Sequence, residues 1–220
     1  MTKYEAVIFD LDGLLLDTEI ISKRAWTEAA IDFGFSISDS LYENVIGITE
    51  LDTMDIFTNS LGNDFPAKKV NKLRLQLINE IIDKEGVNKK PGYNQIISYL
   101  NARKIKKAIA TSSTYEFAVK KMKKAGIFTD FDFFSTGDKV EKGKPEPDIF
   151  LNAAKGLGIK SSLCIAFEDS DDGTTAATTA GMKVFVVPDL KSPNQESIRN
   201  AYRIIKKLDD SIPLLNEMLQ

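Results

Sequence analysis

Short apolar runs that stop at acidic or hydroxylated residues recur along this chain, with helical patterns between them. The first, Ala6-Val7-Ile8-Phe9, contains a β-branched pair and ends at Asp10-Leu11-Asp12-Gly13. That pattern predicts a buried strand running into a loop. Comparable runs are Ala108-Ile109-Ala110 before Thr111-Ser112-Ser113, Phe131-Asp132-Phe133-Phe134 before Ser135-Thr136-Gly137, Leu163 to Phe167 before Glu168-Asp169-Ser170, and Val184-Phe185-Val186-Val187 before Pro188-Asp189. Strands alternating with helices predict an α/β fold whose parallel sheet is covered on both faces.

The intervening helices carry their own punctuation. From Tyr115 to Ala125 the apolar positions Ala118, Met122 and Ala125 keep helical spacing, Ser113 or Thr114 is placed to cap the start, and Gly126 is placed to end the helix in a left-handed turn. The run Lys120-Lys121-Met122-Lys123-Lys124 reads as the solvated face of that helix. A second helix runs from Pro147, in its first turn, to Gly158. Residues from about Glu19 to Gly86 break the rhythm, with no strand-like run. The longest helical pattern there, Pro66 to Glu85, puts Val70, Leu73, Leu77 and Ile81 on one stripe, which reads as bundle core. The expected division is therefore an α/β core of residues 1–15 and 88–220 and a helical insert of residues 16–87.

Composition narrows the function classes. A chain of 220 residues, 43% hydrophobic, can bury a sizeable core. Its 29 Lys+Arg against 32 Asp+Glu leave a net charge of −3, without the basic excess of a nucleic-acid binder. The single cysteine, Cys164, sits inside an apolar run and reads as a small buried hydrophobe. No stretch approaches the roughly 20 apolar residues of a membrane span, and the first residues do not form a signal peptide, so a reducing cytoplasm is the default compartment and a monomer the default state. Histidine is absent, so any general acid or base near neutral pH must be Asp, Glu, Lys, Tyr or Cys.

Ligands of a parallel α/β sheet bind beyond the carboxyl ends of its strands. Here those ends supply Asp10, Asp12, Thr111, Glu168 and Asp169, and the loop Lys142-Gly143-Lys144-Pro145 follows the third run. Carboxylates suit a hard cation such as Mg2+, and Asp10 and Asp169 could bind one from neighbouring strands. A phosphoryl group could then be held by the metal, Lys144 and the Thr111 hydroxyl. Asp10 could attack phosphorus as a nucleophile. Asp12, on the same face of an extended strand, would serve proton transfer.

These residues resemble a known family. Phe9-Asp10-Leu11-Asp12-Gly13, Asp17-Thr18-Glu19, Thr111, Lys144-Pro145 and Phe167-Glu168-Asp169-Ser170 are similar, in type and order, to the four motifs of the haloacid dehalogenase-like (HAD) superfamily. The helical insert resembles the small cap of subfamily I, and the texture is that of β-phosphoglucomutase-like phosphatases. The resemblance implies a Rossmann-like core with an α-helical cap domain and Mg2+ as cofactor. It implies Asp10 as nucleophile and metal ligand, and Asp12 as general acid/base with its main-chain carbonyl on the metal. Thr111, Ser112 and Lys144 become phosphate ligands, and Glu168 and Asp169 metal-side acids. Thr18, Thr49 and Glu50 are the expected substrate contacts from the cap. The acid at Asp12 separates phosphotransferases from dehalogenases in this superfamily.

Against the mutases the chain differs: Ser22 stands where they place a hinge histidine, and Glu50 lies in the stretch where they place a phosphate-gripping arginine. The expectation is a phosphatase acting on a small phosphorylated metabolite of the sugar phosphate or nucleotide class, with a phosphosugar mutase as the near alternative. A phospho-aspartate receiver, from another class, would need neither Asp12 nor the insert. Competing readings of the motifs fail on spacing. A calcium loop lacks its glycine at the sixth position, a P-loop at Gly137 to Gly143 has five intervening residues and proline at 145, and Gly156-Leu157-Gly158 lacks the third dinucleotide-fold glycine.

Overall fold

Six strands form one sheet in the computed structural model, which describes residues 3–46, 48 and 50–219. They are β1 Ala6–Phe9, β2 Lys106–Thr111, β3 Phe133–Thr136, β4 Cys164–Glu168, β5 Lys183–Val186 and β6 Arg203–Ile204, in the order β3-β2-β1-β4-β5-β6. Every pairing is parallel. The four residues of β1 and the five of β4 are wholly buried, as central strands of a doubly covered sheet should be. Helices α5 Tyr93–Ala102, α6 Tyr115–Lys124, α7 Asp148–Leu157, α8 Asp171–Thr179, α9 Gln195–Asn200 and α10 Ile212–Met218 complete this unit, while α1 Thr18–Asp32, α2 Asp39–Glu43, α3 Glu50–Leu61 and α4 Ala67–Glu85 lie between β1 and α5 in sequence. The chain thus divides into two compact units, Met1–Asp17 with Asn88–Gln220, and Thr18–Val87.

On one face of the sheet Ile8, Ala108, Ala166 and Val184 pack with Ile149, Phe150, Ala153 and Leu157 of α7. On the other face the register Phe9↔Phe167↔Phe185 aligns three rings on neighbouring strands. They stack at 5.1 and 5.0 Å between centroids, and Phe131 closes the row edge-on to Phe9 at 6.1 Å. In the helical unit the core is Trp26, Phe57, Phe65 and Val70 with their neighbours, and Leu73 and Leu77 of the α4 stripe are partly buried against it.

Several local expectations shift. β3 begins at Phe133 rather than Phe131, and it runs through Ser135 and Thr136, which are polar yet fully buried. Asp132 lies before the strand and binds Lys107 twice, its N–H donating to the carbonyl and its carboxylate accepting from the N–H. Pro147 is the residue before α7, and Gly158 ends that helix in a left-handed turn. Neither Ser113 nor Thr114 caps α6: Thr114 occupies the position without a side-chain bond, and Ser113 is engaged elsewhere.

Candidate active site

The chain leaves β1 to one side for β2 and returns on the other at β4, so the carboxyl end of β1 is the topological switch point of the sheet. Asp10 follows β1 there, and its N–H donates to the Phe167 carbonyl at 3.0 Å. The Lys144 ammonium pairs with the Asp10 carboxylate and, at 2.5 Å, with Glu168 Oε1. All three side chains are buried, Glu168 completely. Glu168 Oε2 accepts from the N–H groups of Asp169 and Ser170 at 3.0 and 3.1 Å and from the Ser170 hydroxyl at 2.9 Å. Ser170 in turn caps α8 by accepting from the Gly173 N–H at 3.1 Å. A β-carbon at Gly173 would lie 1.9 Å from Glu168 Oε1, so only glycine lets the first turn of α8 pass over this carboxylate.

The electrostatics follow from this crowding. Burial pushes the Asp10 carboxyl up to about 7, with Glu168 and Asp12 adding to the rise and Lys144 opposing it. Burial alone would depress the Lys144 ammonium, but Asp10 and Glu168 beside it hold it above the ordinary lysine range. Burial also pushes the Cys164 thiol up to about 12, in keeping with its reading as a hydrophobe.

Asp12 belongs to a second group of contacts. Its Oδ2 accepts from the Thr111 hydroxyl at 3.2 Å, the Ser113 hydroxyl at 2.9 Å and the Lys121 ammonium at 2.6 Å, and Lys121 also reaches Oδ1. Lys121 donates to Ser113 Oγ as well, at 2.8 Å. Lys121 is 2% exposed, so the solvated-face reading of the lysine run is wrong at this position. The signal was available: 121 falls at i+3 from Ala118 and beside Met122, on the stripe that packs inward.

Asp169 lies beyond β4, next to the tight turn at Gly13. There φ is +85° and a β-carbon would sit 2.3 Å from Asp169 Oδ2, so glycine is required twice over. Asp189 also approaches this turn, and its other oxygen accepts from Lys90 at 2.5 Å. Asp171 is not the simple surface cap its position suggests, since its Oδ1 accepts from the Asn194 N–H at 3.0 Å and the Ser197 hydroxyl at 2.5 Å, anchoring α9. Ser112 is exposed, and its carbonyl stands 2.3 Å from where a β-carbon of Gly137 would be. Of the cap residues, Thr18 and Glu50 fall in the helical unit. The Thr18 hydroxyl is buried without a hydrogen-bond partner. Glu50 accepts from Asn71 at 2.7 Å and Arg74 at 2.8 Å. Thr49 lies outside the described residues.

Residues 7–187 match the sequence profile of the haloacid dehalogenase-like hydrolases. The chain belongs to this family. Among its relatives is a phosphorylated carbohydrates phosphatase of Thermotoga maritima, 29% identical over 81% of this chain and 82% of that protein. The β-phosphoglucomutase of Bacillus subtilis is 30% identical over 81% and 80% of the two chains. A solved β-phosphoglucomutase structure from Clostridium difficile superposes with a TM-score of 0.71 at 28% identity, covering 97% of this chain and 98% of that one. The parallel six-stranded sheet flanked by helices is the fold of this HAD-like family.

The donor chemistry of this HAD-like site fits a hard divalent cation. Asp10 and Asp169 offer carboxylate oxygens and Asp12 a main-chain carbonyl, all preferred by Mg2+. The carboxylates of Asp10 and Glu168 pair with the Lys144 ammonium and that of Asp12 with Lys121, and the raised Asp10 carboxyl reflects burial first and the neighbouring carboxylates of Glu168 and Asp12 after it. Among the described residues no group of three or more His, Cys, Asp or Glu side chains is placed to hold a metal ion, so an ion here would rest on one or two carboxylates, a main-chain carbonyl and waters, as Mg2+ characteristically does. Both Glu168 oxygens accept from donors of its own chain, and so do both carboxylate oxygens of Asp12. No helix of the described residues is long and apolar enough to cross a membrane.

Proposed function

We propose that this HAD-like hydrolase is a Mg2+-dependent phosphatase of small phosphomonoesters, sugar phosphates or nucleotides, working through a phosphoryl group carried on Asp10. The observation that carries this reading is the pairing of two differently held carboxylates at one strand end: Asp10 buried against Lys144 and Glu168, and Asp12 bonded to Thr111 and its neighbours. Environments that separate two acids in this way assign them different roles. Asp10 attacks phosphorus and the bond to the leaving oxygen breaks, while Asp12 delivers a proton to that oxygen. Water then attacks the phosphoryl group, Asp12 takes its proton, and the bond to Asp10 breaks to release inorganic phosphate. Lys144 balances charge on the phosphoryl oxygens, and the hydroxyls of Ser112 and, once it turns from Asp12, of Thr111 at the adjoining strand end are the further donors to them. Mg2+, held by Asp10, Asp169 and the Asp12 carbonyl, supplies additional positive charge to the same oxygens when bound. Glu168 orients Lys144 and the Asp169 loop.

A phosphosugar mutase is the second reading, favoured by the relatives of that name. Against it stand Ser22 and Glu50 in place of the mutase histidine and arginine. Both are taken up inside the helical unit, Ser22 by Tyr42 and Glu50 by Asn71 and Arg74. Phosphate release from a panel of phosphorylated sugars and nucleotides, with Mg2+ or with EDTA, tests both readings, together with conversion of β-glucose 1-phosphate to the 6-phosphate. Metal-dependent release is expected, and Asp10→Asn, nearly isosteric, is expected to abolish it without unfolding the protein. A fully active Asp10→Asn protein would sink the mechanism, and isomerisation without release would establish the mutase.

A further inference from the structure

We infer that Lys121, supported by Ser113, is the positioning residue for Asp12, fixing the carboxylate that exchanges the proton with the leaving oxygen; this rests on the phosphatase reading above. The inference starts from a side chain that has no structural reason to be charged. Lys121 sits on the inward stripe of α6 between Ala118 and Met122 and is as buried as they are. Taking an ammonium out of water is unfavourable unless its donors are matched. A methionine would fill a similar volume and continue the stripe at no such cost. The matching groups are Asp12 and Ser113, with Phe117 packed against the ammonium at 4.6 Å.

The geometry is that of a clamp. Lys121 bridges both oxygens of Asp12, and the Ser113 hydroxyl accepts from Lys121 while donating to Asp12 Oδ2. A carboxylate bonded through both oxygens loses its freedom to rotate about its terminal torsion, which is otherwise broad. Thr111 adds a third donor to Oδ2 from the end of β2. The position of Asp12 is thereby set from α6, through Lys121. Lys121 acts through Asp12 and is a positioning residue, not a catalytic one.

The test separates positioning of the proton from every other function. Lys121→Met is assayed with Mg2+ against two ester classes: alkyl phosphates, whose leaving oxygen needs a proton, and p-nitrophenyl phosphate, whose leaving group departs as a stable anion. The quantity read is kcat/KM, because it covers formation of the phosphoryl-Asp10 state and omits its hydrolysis, which is common to both substrates. A well-placed general acid contributes about 10²–10⁴-fold. Loss of its clamp is expected to lower the alkyl-to-aryl ratio of kcat/KM by about tenfold or more. Ser113→Ala, a smaller perturbation that leaves the buried charge paired, is expected to lower the same ratio by about threefold and decides the matter if Lys121→Met does not fold. An equal fall for both esters, or none, overturns the positioning role while leaving the phosphatase intact. Wild-type protein silent on both overturns the phosphatase reading and this inference with it.

Discussion

Asp10 carries a contradiction that the fold resolves only with help. As the proposed nucleophile it must be ionised, yet burial between Glu168 and Asp12 pushes its carboxyl up to about 7 despite Lys144. An aspartate in the unfolded chain titrates at about 3.9. The folded value therefore lies above the unfolded one, and the contribution of Asp10 to stability is present at acid pH and lost as pH rises through about 7. A divalent cation reverses this, because it binds the carboxylate and not the carboxylic acid. The expected outcome is a thermal melting temperature whose gain from Mg2+ over EDTA is small near about pH 5 and grows through about pH 7. A gain independent of pH would remove Asp10 from the ion site. With no histidine in the chain, no imidazole can imitate this dependence.

At the scale of elements, the turn from β4 into α8 shows how one short segment serves both the sheet and the site. Ser170 accepts from the Gly173 N–H as a helix cap and donates to Glu168 Oε2. Gly173 leaves the space that the same carboxylate fills. Gly173→Ala is expected to cost about 1–3 kcal/mol by overpacking and to depress phosphate release, because Glu168 can make room only by moving Lys144. Denaturant midpoints and turnover measured together check this, and a stable, fully active variant would contradict it. Ser170→Ala is expected to lose about 1 kcal/mol for the cap and to lower turnover as well, whereas a cap without the Glu168 bond would affect stability alone. Much of this segment was legible beforehand. Strand ends marked by Asp10, Thr111 and Glu168 follow from apolar runs meeting polar residues, and their order along the chain carried the family resemblance. What escaped had a physical cause each time. β6 is two exposed residues, Arg203 and Ile204, with too little pattern to distinguish from a loop. β3 keeps Ser135 and Thr136 in the interior, where backbone pairing rather than side-chain hydrophobicity holds them. Lys121 and Ser113 carry the residue types of a solvated face and of a helix cap, and only their positions along α6 and after β2 point inward. Their roles depend on a partner, Asp12, that is 109 and 101 residues away in sequence.

For the molecule as a whole, the two units hold separate hydrophobic cores. Ile8, Ala166, Phe150 and their neighbours build one, and Trp26, Phe57, Phe65 and Val70 the other, with no residue common to both. Phe57 is fully buried and meets Trp26 edge-on at 5.0 Å and Phe65 at 6.2 Å. Truncating such a ring typically costs about 3–5 kcal/mol, through lost burial and the cavity left behind. Because Ala6, Ile8, Ala108, Ala110, Cys164 and Ala166 of β1, β2 and β4 belong to the other core, that loss is expected to fall on local opening of the helical unit rather than on the sheet. Phe57→Ala is therefore expected to raise amide hydrogen exchange across α1, α3 and α4 while leaving protection in β1, β2 and β4 close to wild type. A uniform rise through both units would mean that they unfold as one cooperative block. The pattern also bears on function, since the Asp10, Lys144, Glu168 and Asp12 contacts lie wholly within the α/β unit. In Phe57→Ala protein the pH-dependent stabilisation by Mg2+ should persist, and only turnover on substrates that need the helical unit should fall.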